Sequence, residues 1–198
     1  MKTLLFAVAL FTVASALSAG AAEGRLETRK LAEKGVAALP PGPLSWRIES
    51  FDSVAGAQAA AGPYGIAAQS KDGRAWLFTL EGAGAKLASA GREVARVGPI
   101  APFSANHYLL RINEATGTRG ATTPVHTHPG SEAFFVLAGE QSIRGPDGVM
   151  TLRPGQPSAG SGAGVPMQVT STGSTDLDAL VMFVVDADKP FSSSALIQ

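Results

Sequence analysis

The sequence predicts an all-β protein, a double-stranded β-helix or jelly-roll barrel, and three observations point there. Six short segments in the second half, residues 107–113, 132–137, 141–144, 148–152, 167–170 and 179–185, are rich in strand-forming residues. Glycine and proline punctuate them, as in Gly145-Pro146-Asp147-Gly148 and Arg153-Pro154-Gly155. Almost no stretch carries the 3.6-residue apolar period of a helix.

The elements before these follow from the same signals. Lys2, an apolar run over residues 4–17 and small residues at Ala19-Gly20-Ala21-Ala22 have the three parts of a secretory signal peptide over residues 1–22, too short for a comfortable membrane span. Residues 23–43 form an N-terminal arm: Leu26, Leu31, Val36 and Leu39 stand among charges, which fits a short helix or an extended arm, and Pro40-Pro41-Gly42-Pro43 ends it. Residues 44–198 make one barrel domain, with candidate strands over 44–51, 75–80 and 94–97 and an Ala-rich stretch at 58–62. Without the leader about 175 residues remain, enough for a single well-filled core.

Composition narrows the function classes. Sixteen basic residues balance sixteen acidic ones, and no Lys/Arg cluster interleaves with aromatics. Nucleic acid and, once the leader is cleaved, membrane surfaces are therefore not expected partners. The chain has no cysteine, which removes disulfides, zinc–cysteine sites, cysteine nucleophiles and lipoprotein anchoring. No twin arginine precedes the apolar run, so the expected route is the general secretory one, to the periplasm or the exterior.

The chemistry is concentrated between Gly120 and Gly139. His126 and His128 lie two apart, so on an extended strand both imidazoles point to one face, roughly 6–7 Å apart at the backbone. Glu132 follows a Pro129-Gly130-Ser131 break that can turn its carboxylate back toward them. Two neutral nitrogens and one charged oxygen suit a divalent transition metal and leave positions open for water or substrate.

The spacing of Gly120, His126, His128, Glu132 and Gly139 matches the first motif of the cupin superfamily at all five fixed positions. The chain thus resembles a cupin over residues 101–190 or so. The resemblance implies a barrel holding a metal near its mouth, and a small-molecule ligand or substrate that enters there. It also implies oxygenase-, isomerase- or decarboxylase-like chemistry, and homodimers formed through exchanged terminal strands.

The second motif departs from the family. It matches Gly148 to Gln156 and Gly164 to Val169, but the histidine ligand falls on Met167, and no histidine follows His128. The asparagine position falls on Ser171. Met167 is then a core or wall residue, which leaves a two-histidine, one-carboxylate triad, or else a soft fourth ligand suited to copper. A metal acquired after export follows intrinsic affinity, which favours copper or zinc, with iron, nickel and manganese still open.

Strand parity assigns the remaining side chains. Phe134 and Val136 share the face of Glu132, and Phe135 and Leu137 take the other. In the strand over 107–113 the more apolar set, Tyr108, Leu110 and Ile112, should face inward, placing His107 and Arg111 outside. If that strand is flipped, Arg111 enters the barrel as a candidate clamp for a carboxylate. Residues 157–164, rich in glycine, serine and alanine, read as a mobile loop or a lid beside the mouth. Two functions remain: a metal-dependent enzyme such as a dioxygenase or isomerase, or a metal- or small-ligand-binding cupin without turnover.

Overall fold

The computed structural model describes residues 24–85 and 90–198. The expected signal peptide over 1–22 lies outside them. Among the described residues fourteen strands and one short helix follow in order. They are β1 (Glu27–Val36), β2 (Leu44–Phe51), α1 (Val54–Ala60), β3 (Gly65–Gln69), β4 (Ala75–Gly82), β5 (Arg92–Val97), β6 (Tyr108–Gly117), β7 (His126–Thr127) and β8 (Gly130–Ala138). The chain continues through β9 (Gln141–Gly145), β10 (Gly148–Leu152), β11 (Pro157–Ser158), β12 (Gln168–Ser171), β13 (Leu177–Asp186) and β14 (Ser193–Ser194). The fold is all-β, as expected. No helix among the described residues is long and apolar enough to cross a membrane.

Every named strand pairing is antiparallel. A five-stranded sheet in the order β1-β6-β13-β8-β11 is central; β10-β9-β12 and the pair β14-β7 lie on one side of it, and β3-β4-β2-β5 on the other. The reason is visible in β13, whose sequence LDALVMFVVD is apolar almost without interruption. Such a strand is stable only with both faces buried. Leu180, Met182 and Val184 join the outer core with Trp46, Ile48, Trp76 and Phe78 of the N-terminal sheet. Ala179, Val181, Phe183 and Val185 join the inner core with Phe134, Ile143, Met167 and Val169.

This layering decides between two alternatives and corrects one expectation. Of the short helix and the extended arm that the sequence allowed, the extended form is found over the described residues 24–43: β1 pairs with β6 from Glu27↔Thr116 to Val36↔Tyr108, with a bulge between Lys30 and Ala32. Free backbone groups on the edge of β6 outweigh the weak helical pattern, and the charges of β1 cover the new edge. The orientation of β6 is the reverse of the expected one. Leu110 and Ile112 are fully buried, but in the outer core against the N-terminal sheet. The most apolar face of β6 therefore looks away from the barrel, and Arg111, Asn113 and Ala115 point the opposite way, toward the inner layer.

Two glycines at the ends of β8, one of them the motif position Gly139, meet backbone demands that other residues cannot. Gly139 has φ +73° and its missing Cβ would press on the carbonyl of Asp176. Gly130 lies so close to the Val184 carbonyl that any side chain would collide with it. Each lets β8 run tightly along β13 and start where Glu132 needs it.

Candidate functional site

His126 and His128 leave β7 side by side, their ring centroids 5.0 Å apart and the rings nearly perpendicular at 87°. Each imidazole is held from behind. His126 Nδ1 donates to the Pro124 carbonyl at 2.9 Å, and His128 Nδ1 to the Phe191 carbonyl at 2.6 Å. Because a carbonyl only accepts, the proton of each neutral ring sits on Nδ1 and the lone pair on Nε2. This is the second-layer support that metal-ligating histidines commonly have.

Register places Glu132 on the same layer. Cross-strand pairing aligns Glu33, Arg111, Phe183 and Glu132 in one row across β1, β6, β13 and β8. Two residues further along, Asn113, Val181 and Phe134 form a second row. Phe134 stands on the inner face as parity predicts, whereas Phe135 belongs to the outer core.

A cavity of about 390 Å³ opens above these rows. Its walls include His126, His128, Glu132, Phe134, Asn113 and Gln141. Glu132 is 4% exposed, its Oε2 has no hydrogen-bond partner among the described residues, and burial pushes its pKa up to about 8. Burial lowers that of His128 to about 4, against the pull of the Phe191 carbonyl, and the nearby His126 and Arg111 lower it further. Burial thus favours a protonated Glu132 carboxyl and a neutral His128 imidazole near pH 7 in the ligand-free site.

The donor types fit a divalent transition metal, since two Nε2 lone pairs and an unpartnered carboxyl oxygen share one cavity. They are not gathered as a ligand set: among the described residues no three His, Asp or Glu side chains are grouped so that they could hold an ion.

Met167 is hydrogen-bonded to His126 by two backbone contacts of 2.8 and 2.9 Å. Its side chain is 1% exposed and belongs to the inner core. Ser171 is fully buried and donates to the Gly117 carbonyl at 3.3 Å. His107 is exposed and pairs with Asp188 at 3.1 Å, away from the cavity. Residues 157–164 are stitched to the rim rather than loose: Pro157 and Ser158 pair with Phe135 and Phe134, Glu132 N donates to the Ser161 carbonyl, and Gly164 N to that of His128.

The residues that the sequence did not mark are Asn113, Gln141 and the C-terminal segment. Phe191 packs against His128 and Phe183 with centroids 4.8 and 4.9 Å apart, and Arg111 lies 4.1 Å over its ring while pairing with Glu33 at 3.2 Å. Beyond it, Ser193 and Ser194 pair with Thr127 and His126, so the tail forms one wall of the cavity. No local sequence signal singles them out, since Gln141 lies in the mixed segment QSIRG and Asn113 beside charged neighbours.

No family model matches the sequence, and no curated protein matches it. Among solved structures, a cupin-like protein from Thermotoga maritima is 15% identical, with a TM-score of 0.39, over 43% of this chain and 64% of that one. The DMSP lyase DddQ from Ruegeria pomeroyi is 23% identical, with a TM-score of 0.38, over 43% of each chain. The chain thus spans less than two thirds of the length of either protein. An RmlC-like cupin family protein with a double-stranded β-helix fold from Methanocaldococcus jannaschii is 20% identical, with a TM-score of 0.35, over 37% of this chain and 67% of that one. Solved structures similar to this chain thus include proteins of the cupin superfamily, the family that its first motif resembles.

Proposed function

We propose that this protein is an exported, cupin-like small-molecule protein in which His126, His128 and Glu132 hold one divalent transition metal at the mouth of the inner cavity. The observation that carries this reading is the matched support of the two imidazoles, each with Nδ1 fixed by a carbonyl, in a cavity that also holds an unpartnered carboxyl oxygen of Glu132. When bound, such an ion supplies Lewis acidity or a site for oxygen, which suits oxygenase-, isomerase- or decarboxylase-like chemistry on a small organic substrate. The protein's own groups orient that substrate against apolar walls and keep bulk water from Glu132. Copper or zinc is the favoured ion by affinity order; Met167, one strand from His126, would serve as a soft fourth ligand only by leaving the core.

Elemental analysis of protein taken from its native compartment tests this, beside a His126→Ala/His128→Ala control. About one equivalent of a transition metal, lost in the control, is expected; less than a tenth of an equivalent in the wild type would refute it. That no three such side chains are grouped among the described residues favours a second reading, in which the cavity binds a small organic molecule directly and without turnover, Glu132 donating a hydrogen bond. Metal-free protein that still binds small neutral molecules would support that alternative.

A further inference from the structure

The depth of the cavity carries a second feature that a metal at its mouth does not explain. Gln141 is fully buried, and neither its Nε2 nor its Oε1 has a hydrogen-bond partner among the described residues. Asn113 is 8% exposed, and its Oδ1 is likewise unpartnered. The two stand on opposite layers, Asn113 on β6 of the central sheet and Gln141 at the start of β9 in the facing sheet, and both line the same cavity. Buried amides are costly without partners and are rarely left so.

We propose that Asn113 and Gln141 form a neutral clamp that selects ligands by an uncharged amide or hydroxyl group at the inner end of the cavity. The inference rests on the reading of this cavity as a small-molecule site, and it names what that site accepts. A group that satisfies both side chains must donate one hydrogen bond and accept another, because Gln141 presents a carbonyl and an NH₂ and Asn113 presents a carbonyl. Rotation of either amide exchanges its donor and acceptor without changing that requirement. A carboxylate has no proton to donate, and an ammonium leaves the NH₂ unmet.

Charge points the same way. Among the described residues no cationic side chain lines the depth to receive an anion: Arg111 is engaged by Glu33 and Phe191, and Arg25 is exposed. Phe134, Val181 and Val169 supply apolar walls around the clamp. The volume equals that of about a dozen waters, enough for one small ring with a polar substituent.

A matched set of benzamide, benzyl alcohol, benzoate and toluene tests the clamp, titrated into the full metal-free chain and followed by protein NMR. Benzamide and benzyl alcohol should bind at least tenfold more tightly than benzoate or toluene. Asn113→Leu and Gln141→Leu should each lose tenfold or more of the benzamide affinity, while toluene binding is kept. Their ligand-free thermal midpoints should equal or exceed that of the wild type, because groups left without partners are removed.

Lower midpoints, or variants that fail to fold, would mean that the amides hold the fold together and would overturn the proposal. Benzoate binding as well as benzamide, or benzamide binding untouched by either variant, would overturn it as well. Failure of all four probes to bind the wild type removes the small-molecule site itself, and the clamp with it. The metal reading is judged separately, by elemental content.

Discussion

The Phe191 carbonyl accepts the Nδ1 proton of His128 at 2.6 Å, so a residue seven positions before Gln198 fixes the tautomer of a histidine in the first motif. Ending the chain after Pro190 removes that acceptor together with the β14–β7 pairing. Affinity for a transition metal should then fall by about 10–100-fold, the usual effect of losing a second-layer partner. Phe191→Ala keeps the carbonyl and loses only the ring contacts, so it should cost about 2 kcal/mol of stability while largely retaining metal affinity. Calorimetric titration of both variants with cobalt(II) separates the two contributions.

The pKa shifts predict an unusual stability profile for the metal-free protein. Glu132 titrates near 8 in the folded state against an ordinary 4.5, so its share of stability is full below pH 4.5 and is lost as pH rises through 8. His128 titrates near 4 against 6.5, so its share is present above pH 6.5 and lost as pH falls through 4. Between pH 4.5 and 6.5 the two slopes oppose and nearly cancel. From pH 6.5 to 8 only Glu132 acts, and stability should decline by about 2 kcal/mol. Urea unfolding across pH 4–9 reads this directly. Glu132→Gln should flatten the decline, and a metal that ligates the carboxylate should do the same.

Arg111 lowers the proton affinity of His128 through its charge. Arg111→Met should therefore raise the pKa of His128, measurable by NMR titration of the ring protons. It also ends the pairing with Glu33 and the contact over Phe191. The ion pair is partly exposed, so its own coupling in a Glu33/Arg111 double-mutant cycle should be only about 0.5–1 kcal/mol.

Removal of β1 tests the edge of the central sheet. A chain that starts at Gly42 leaves the β6 edge bare and part of the outer core uncovered. It should unfold at lower temperature and self-associate in sedimentation analysis, whereas the full chain keeps that edge paired within itself.

The first motif was legible because its signal is local: spacing of two puts His126 and His128 on one face, and glycines at fixed positions permit the turns around them. Phe134 followed from the same parity. Arg111 did not, because the rule that the apolar face of a strand points into the barrel assumes one covered face, and β6 has two. The strand β1 was ambiguous because its residues gain their partners from β6, more than seventy positions away in sequence. Asn113, Gln141 and Phe191 were silent for a related reason. Each is ordinary in its own segment and meets the cavity only through pairings between distant strands.

The central sheet divides the molecule into two compartments, and β1 lies along their shared border. Glu33 reaches Arg111 on the cavity side, while its neighbour Lys34 donates to the carbonyls of Gly62 and Gly65 on the other. Contacts of β1 with the N-terminal sheet and with the cavity side thus both depend on its register. A one-residue slip of β1 that brings Lys34 opposite Arg111 would turn an attraction into a repulsion. Sequence change in β1 must therefore satisfy both compartments at once.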